Sequence, residues 1–254
     1  MTIQIGDVTF VAFLLALVRS GAWIAVAPPF NHRSIPVQVR AGLAAALALA
    51  LTPWLSRQMG TTVYDTPALL GAVAVQALAG AGLGVLVLIL MTAVQSAGSM
   101  LDLFGGFSIS SAYDPFNNAQ AAIWGRFYDL LAVVLLFVIG GDLLLLQGFI
   151  TSFQAIPLHA PPLNALASTV LTDMTTYFGA AVEIAAPLLA ALFLAQVVMG
   201  MISRAAPAMN VLSLSFPFMI LLTILLASLA IPQLPDAVSS LAHQAVGAMA
   251  TLSH

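Results

Sequence analysis

Six long apolar runs constrain this chain more than any other feature. Each holds about the 20 residues that an α-helix needs to cross a hydrocarbon layer of roughly 30 Å. None shows the two-residue alternation of membrane β-barrel strands. The sequence therefore predicts an all-α integral membrane protein with about six long hydrophobic helices. The runs are residues 7–28, 39–57, 68–97, 126–150, 176–203 and 211–231.

The charge content supports a membrane protein and excludes several other classes. Only 6% of the 254 residues are charged and 61% are hydrophobic, whereas about a quarter of the residues of a soluble domain are charged. The six basic residues are all arginine and are scattered along a chain of net charge −3, which argues against nucleic acid as a partner. The absence of cysteine excludes disulfides, thiolate catalysis and cysteine metal sites.

No repeat or low-complexity linker divides the sequence, so we expect one domain over residues 1–254. A short helix is expected to start after Pro162. The tail, residues 232–254, has the pattern of an amphipathic helix with Asp236 in its first turn. The arginines favour the first, third and fifth loops, which predicts that these loops are cytoplasmic and that both termini lie outside.

A polar, aromatic and turn-rich stretch, GGFSISSAYDPFNNAQ, lies at residues 105–120 between two apolar runs. Non-helical backbone persists in a membrane protein only where protein buries it or water lines it. Glycine and serine rearrange easily, aromatic rings can fill a narrow lumen, and Asp-Pro followed by two asparagines predicts a turn. The residues alone leave two interpretations open, a pore plug and a plain surface connection. The candidate plug residues are Phe104, Gly105, Gly106, Phe107, Ser108, Ile109, Ser110, Ser111, Ala112, Tyr113, Asp114, Pro115 and Phe116.

Charged residues inside apolar runs are costly and are therefore functional candidates. Arg126 and Asp129 stand three apart and are predicted to pair. Asp142 follows two glycines, which favours a buried helix contact with a proton relay as the alternative. Glu183 precedes Pro187, which bends a helix and frees a carbonyl. A neighbouring subunit that satisfies this kink is the favoured interpretation of Glu183, and an ion site is the other.

No pattern in the sequence supports catalysis or a cofactor. The four histidines do not pair with an acid at ligand spacing, and neither HExxH nor a phosphate-binding glycine loop is present. Arg19, inside the first run, is expected to face protein, and Gly80 and Gly84 fit a small-residue helix interface. We therefore predict a protein that is not an enzyme and holds no metal or cofactor.

Three stretches carry a resemblance to a known family: RSIPVQVRAGLAAALALALTP at residues 33–53, the region 105–146, and SRAAPAMNVLSLSFPFMILLTILL at 203–226. With the length and hydropathy, they make the chain resemble the flagellar FliR family, which is related to the T component of injectisomes. Two departures are Asp142, where the family pattern suggests histidine or another polar residue, and the lack of glycine before Phe-Pro in SLSFP. The most specific elements are Phe107, Ser108, Asp114 and Pro115, and the run from Arg204 through Pro207 to Asn210.

The resemblance implies a structural channel subunit of the flagellar type III export gate in the bacterial inner membrane, at the flagellar basal body. Such a subunit combines a FliP-like and a FliQ-like portion built of helical hairpins. One copy closes a helical ring with FliP-like and FliQ-like subunits, so we expect no homo-oligomer, and an FlhB-like subunit docks nearby. Unfolded flagellar subunits pass through the pore, and the stretch at 105–120 plugs it. The resemblance also implies that the helices face neighbouring subunits as well as membrane lipid.

The alternative function is an independent secondary transporter. In that reading Asp129, Asp142 and Glu183 form a coupling site near the middle of the membrane. The lack of an internal repeat argues against it. Interface or charge-pair roles are expected for Arg126, Asp129, Asp142, Glu183, Arg204, Pro207 and Asn210.

Overall fold

Helices account for all of the regular secondary structure in the part of the chain that the structure, a computed structural model, describes. These residues are 5–28, 30–32, 35–59, 66–107, 123–155, 163–205 and 211–251. The expected all-α fold is confirmed. The helices are α1 (Ile5–Val26), α2 (Val37–Met59), α3 (Thr66–Phe104), α4 (Ile123–Val138), α5 (Gly141–Ala155), α6 (Leu163–Ala205), α7 (Val211–Ala230), a 3-10 turn (Ile231–Gln233) and α8 (Leu234–Thr251).

Five stretches of helix among the described residues are long and apolar enough to cross a membrane, and α4 and α5 together make a sixth candidate. The number agrees with the six apolar runs of the sequence. By length and composition the protein is therefore a multi-pass membrane protein. The five stretches are Val8–Val26, Val37–Met59, Thr66–Phe104, Tyr177–Ala205 and Ser213–Met249.

The run at 126–150 is not one helix as expected. Helix α4 ends at Val138 and α5 begins at Gly141. Gly140 has a φ of 71°, a left-handed conformation that glycine adopts without strain and that commonly ends a helix. The amide of Gly140 donates to the carbonyl of Phe137 at 3.2 Å and so closes the last turn. Hydropathy does not register this break because apolar residues continue on both sides of it.

Two further boundaries differ from the expected ones, and the tail agrees. The short helix expected after Pro162 is the beginning of the 43-residue α6, and α3 continues beyond residue 97 to Phe104. Helix α8 has Asp236 in its first turn. Its buried stripe and polar exposed face confirm an amphipathic helix. The buried residues are Leu234, Val238, Leu241, Ala242, Ala245 and Met249.

The chain forms two compact units, each assembled from separated segments. The first unit contains residues 1–89, 142–175 and 242–254, and the second contains residues 90–141 and 176–241. Neither unit is a continuous stretch of sequence. The expectation of a single domain stays a prediction.

In the first unit, Arg19 of α1 is completely buried. Its Nη2 donates to the backbone oxygen of Ser152 at 2.8 Å and to Oγ of Ser152 at 3.0 Å, and its guanidinium lies 4.2 Å from the centre of the Phe153 ring. Ser152 belongs to the last turn of α5, whose final carbonyls lack partners within the helix and carry partial negative charge. Arg19 faces protein, as expected, and fixes the end of α5 to α1.

Close contact between α1 and α3 depends on two glycines. An added Cβ at Gly80 would overlap the carbonyl oxygen of Arg19, and one at Gly84 would lie 2.8 Å from Cβ of Val26. Small residues allow this approach of two helix backbones. The predicted small-residue interface of Gly80 and Gly84 is confirmed.

Gly80→Ala is expected to lower the free energy of unfolding by about 1–3 kcal/mol, because the new methyl group would force α1 and α3 apart. The matched control is Gly71→Ala in the same helix, where nothing lies within 4 Å of an added Cβ. The control should be about 0.5–1 kcal/mol more stable than the wild type, since alanine favours helix. Unfolding of the purified proteins in detergent measures both, and equal stabilities of the two variants would contradict the contact.

Candidate functional site at the base of the central segment

The central segment, residues 105–120, leaves α3 at Phe104, and the described chain resumes at Ile123 at the start of α4. Of the candidate plug residues, the structure describes Phe104, Gly105, Gly106 and Phe107. The others lie outside the described residues: Ser108, Ile109, Ser110, Ser111, Ala112, Tyr113, Asp114, Pro115 and Phe116. Pro207 and Asn210 also lie outside them.

Asp102 holds the two ends of this segment together. Its side chain belongs to the last turn of α3 and is only 3% exposed. One carboxylate oxygen, Oδ1, accepts the amide of Trp124 at 3.0 Å, and Oδ2 accepts the amide of Gly125 at 2.9 Å. These amides belong to the first turn of α4, whose donors have no partner inside the helix and attract negative charge. Asp102 therefore caps α4 from another helix.

A glycine one turn earlier lets α3 and α4 come close enough for this cap. An added Cβ at Gly98 would lie 2.5 Å from the carbonyl oxygen of Trp124 and 2.9 Å from Cβ of Tyr128. Small residues permit such backbone approach. Phe107 packs edge-on against the indole of Trp124, with ring centres 6.1 Å apart. The two ends of the central segment thus meet through a charge-assisted cap and an aromatic contact.

Helices α6 and α7 hold the other side of the base. Nε2 of Gln196 in α6 donates to the carbonyl oxygen of Phe104 at 2.8 Å. An added Cβ at Gly105 would lie 2.5 Å from Oγ1 of Thr223 in α7, and that hydroxyl donates to the carbonyl of Met219 at 2.8 Å. Gly106 has a φ of 82°, which directs the chain out of α3 in a conformation that suits glycine. The central segment therefore starts, at residues 104–107, from a firmly packed base.

The predicted pair of Arg126 and Asp129 is confirmed. The nitrogen Nη1 of Arg126 lies 3.3 Å from Oδ2 of Asp129, and the two side chains are 64% and 27% exposed. An exposed pair of this kind contributes about 1 kcal/mol at most. It marks the outer face of α4 and adds little to stability.

The buried helix contact expected for Asp142 stays a prediction. Asp142 is half-buried in the first turn of α5. Nothing lies within 4 Å of a Cβ built on Gly140, whereas one built on Gly141 would lie 2.7 Å from Cδ1 and 3.2 Å from the carbonyl oxygen of Leu136. The glycines before it end one helix and begin another, and an acid in the first turn complements the helix dipole. Glu183 and Arg204 are both exposed on α6. Among the described residues, no group of three or more His, Asp or Glu side chains could hold a metal ion.

Sequence reasoning missed Asp102 and Trp124. The apolar run of the sequence ends at residue 97, and Asp102 lies beyond it. In fact α3 continues to Phe104 and Asp102 lies in its last turn. An acid three residues before a glycine pair, at the end of a long apolar run, was the available signal. Its partners are 22 and 23 residues away, beyond the reach of any local pattern.

Residues 10–245 match the sequence model of the family described as Bacterial export proteins, family 1. The chain belongs to this family. It is 31% identical over 215 residues to the flagellar biosynthetic protein FliR of Bacillus subtilis (strain 168), with 83% of this chain and 82% of the relative covered. Identity to FliR of Escherichia coli (strain K12) is 30% over 217 residues, with 85% and 82% covered. The surface presentation of antigens protein SpaR of Shigella sonnei is 32% identical over 130 residues, with 51% and 50% covered.

These relatives confirm the resemblance that the three sequence stretches carried. The family match spans α1 to α8, so it includes both ends of the central segment and the helices that pack around them. The base of the segment is therefore part of the family's common region.

Asp102→Asn is expected to lower the free energy of unfolding by about 1–3 kcal/mol, because a neutral amide cannot accept both buried N–H groups of α4 as the carboxylate does. Asp129→Asn is the matched control on a partly exposed acid, and it should change stability by about 1 kcal/mol at most. Thermal unfolding in detergent compares the two. Equal effects of the two substitutions would show that the cap does not stabilise the junction.

Proposed function

We propose that this export-family protein is a structural channel subunit of the flagellar type III protein export gate. One copy joins FliP-like and FliQ-like subunits and completes a helical pore through which unfolded flagellar proteins pass, with an FlhB-like subunit docked nearby. The observation that carries the proposal is the family match over residues 10–245, together with long apolar helices throughout that range. The site of action would be the bacterial inner membrane at the flagellar basal body.

The apolar surface of the chain supports a role inside an assembly. Large hydrophobic side chains are exposed on α4, α6 and α7, among them Phe137, Phe193 and Leu221. Contiguous exposed apolar surface of this kind marks contact with lipid or with other proteins. A subunit that packs between neighbours and the bilayer accounts for it.

The geometry at Asp102 favours the plug over a plain connection. The cap brings the start of α4 against the last turn of α3, so a short link could join these two helices. Helix–helix connections commonly need about 2–8 residues, and connections longer than about 12–15 residues are usually functional. The sequence places residues 105–122 between the two ends. We propose that this excess length closes the resting pore to ions and moves when a chain arrives.

The function requires no catalysis by this chain and no cofactor. The alternative of a secondary transporter needs Asp129, Asp142 and Glu183 at one coupling site. Asp129 already pairs with Arg126 on an exposed helix face, and the family of bacterial export proteins gives transport by the chain alone no support. Flagellar use is favoured over injectisome use because the FliR relatives of Bacillus subtilis and Escherichia coli match over more than 80% of the chain.

Purification of the tagged chain from its native host in mild detergent, followed by mass spectrometry, tests the assembly. We expect FliP-like and FliQ-like proteins in several copies with one copy of this chain. Recovery of a stable, folded chain without them would contradict the ring-closing role.

Deletion of residues 106–118 is expected to leave the complex assembled but permeable to small ions, because the proposed plug would be missing. A second variant replaces the same residues by a Gly/Ser linker of equal length. It keeps the connection between the helices and removes the aromatic and Asp-Pro elements. Both variants should leak in an ion-flux assay on reconstituted vesicles. A complex that stays tight after the deletion would remove the plug from the proposal.

A further inference from the structure

Glu183 presents two hydrogen-bond-accepting groups on one exposed turn of α6, its side-chain carboxylate and its backbone carbonyl. Its side chain is exposed, and within the described residues it has no ion pair or hydrogen bond. Four residues later comes Pro187, inside the same helix. Proline has no N–H, so the backbone carbonyl of Glu183 lacks its usual helical donor. A carboxylate and a freed carbonyl thus occur together, with no donor supplied by their own helix.

The helix face around Glu183 points away from the core of the second unit. Tyr177, Ala181 and Leu188 lie on the opposite side of α6 and are buried. On the Glu183 side, Gly179 has nothing within 4 Å of an added Cβ. No other part of the described chain therefore covers the helix surface at Gly179, one turn from the carboxylate. We call it the Glu183 face; it consists of the exposed residues Gly179, Glu183, Ala186, Pro187 and Ala190.

Lipid is not a suitable cover for this face. Toward the end of α6 the same side of the helix carries Phe193, Leu194 and Val197, which are 55%, 63% and 44% exposed. Side chains of this kind mark a surface that other molecules cover. A carboxylate directed into hydrocarbon is costly, and such residues face protein or a polar cavity. Small residues beside the acid allow another helix backbone to approach closely.

We infer that a helix of a neighbouring subunit covers the Glu183 face and places an arginine on Glu183. The guanidinium offers five N–H donors in a planar fork, enough to reach both the carboxylate and the freed carbonyl, whereas an ammonium acts as a single point charge. A charge-assisted pair of this kind fixes the register of two packed helices. The inference rests on the proposed function, because it requires the chain to be assembled with other subunits.

Arginines elsewhere in the second unit do not fill this role. Arg126 is paired with Asp129. Arg204 lies on the same helix, 21 residues further on, which at 1.5 Å per residue is about 30 Å along the axis. The described residues of the second unit therefore supply no arginine to Glu183.

The first test measures whether the face is covered. The sequence has no cysteine, so Ala186→Cys introduces a single thiol one turn from Glu183 and leaves the acid in place. In the assembled complex, a water-soluble maleimide should label this thiol at least about tenfold more slowly than in the isolated chain, as expected for a buried helix contact. Equal labelling of the two forms would show a face lined by water and would overturn the inference.

The second test measures how much the charge of Glu183 contributes to assembly. Glu183→Gln keeps the shape and removes the charge, and it should reduce the yield of the assembled complex at least about tenfold, because a desolvated cation would lose its partner. Asp236→Asn, an exposed acid in the first turn of α8, is the matched control and should assemble as the wild type does. Thermal unfolding of the isolated chains should be the same for Glu183→Gln and the wild type, since the side chain is exposed. Normal assembly of Glu183→Gln would overturn the charge pair.

A photo-crosslinker at Ala190 identifies the chain that covers the face. The crosslinked peptide should come from another subunit and contain an arginine, and exchanging the two charges between that arginine and Glu183 should restore assembly. A crosslink to lipid alone, or to a peptide without a basic residue, would contradict the inference. Failure of the wild-type chain to recover FliP-like and FliQ-like subunits would instead count against the proposed function, so the two failures are distinguishable.

Discussion

The carboxylate of Asp102 is the interaction on which the candidate site depends. It accepts two amides from the first turn of α4, so the end of α3 and the start of α4 stay side by side although the central segment separates them in sequence. Gly98 permits this approach and Phe107 packs on Trp124 beside it. Without the cap, the first turn of α4 would lose its hydrogen bonds to α3, and only the packing at Gly98 and Phe107 would join the two ends.

The same physical problem, helix ends without partners in an apolar setting, is solved in the first unit by a charge of opposite sign. Arg19 donates to the backbone oxygen of Ser152 in the last turn of α5. An anion thus stands at a helix N-terminus and a cation at a helix C-terminus, as the helix dipole favours. Both charges are buried, and each bonds to helix-end backbone groups. Glu183 differs because the described part of the chain supplies no cation for it.

Much of the fold could be predicted because hydropathy and length are local properties. The six apolar runs, the amphipathic tail, the pairing of Arg126 with Asp129 and a small-residue interface at Gly80 and Gly84 follow from local sequence. That α1 is the partner of this interface does not. The predicted continuous helix at 126–150 was wrong, since one glycine at a φ of 71° ends a helix without changing hydropathy. The candidate site was predicted only in part. Gly105 and Phe107 were recognised from the motif, whereas Asp102 was not, because its partners are distant in sequence.

The sequence by itself determined the class of the protein, its helical content and its family, because apolar run length, charge scarcity and motif spacing are set residue by residue. Only the tertiary structure decided which helix end meets which side chain. Capping of α4 by Asp102 and of α5 by Arg19 joins residues 22 to 133 positions apart, and no local periodicity encodes such a pairing. The exposure of Glu183 was likewise decided by packing, because burying Ala181 and Leu188 on one side of α6 leaves the acid on the other.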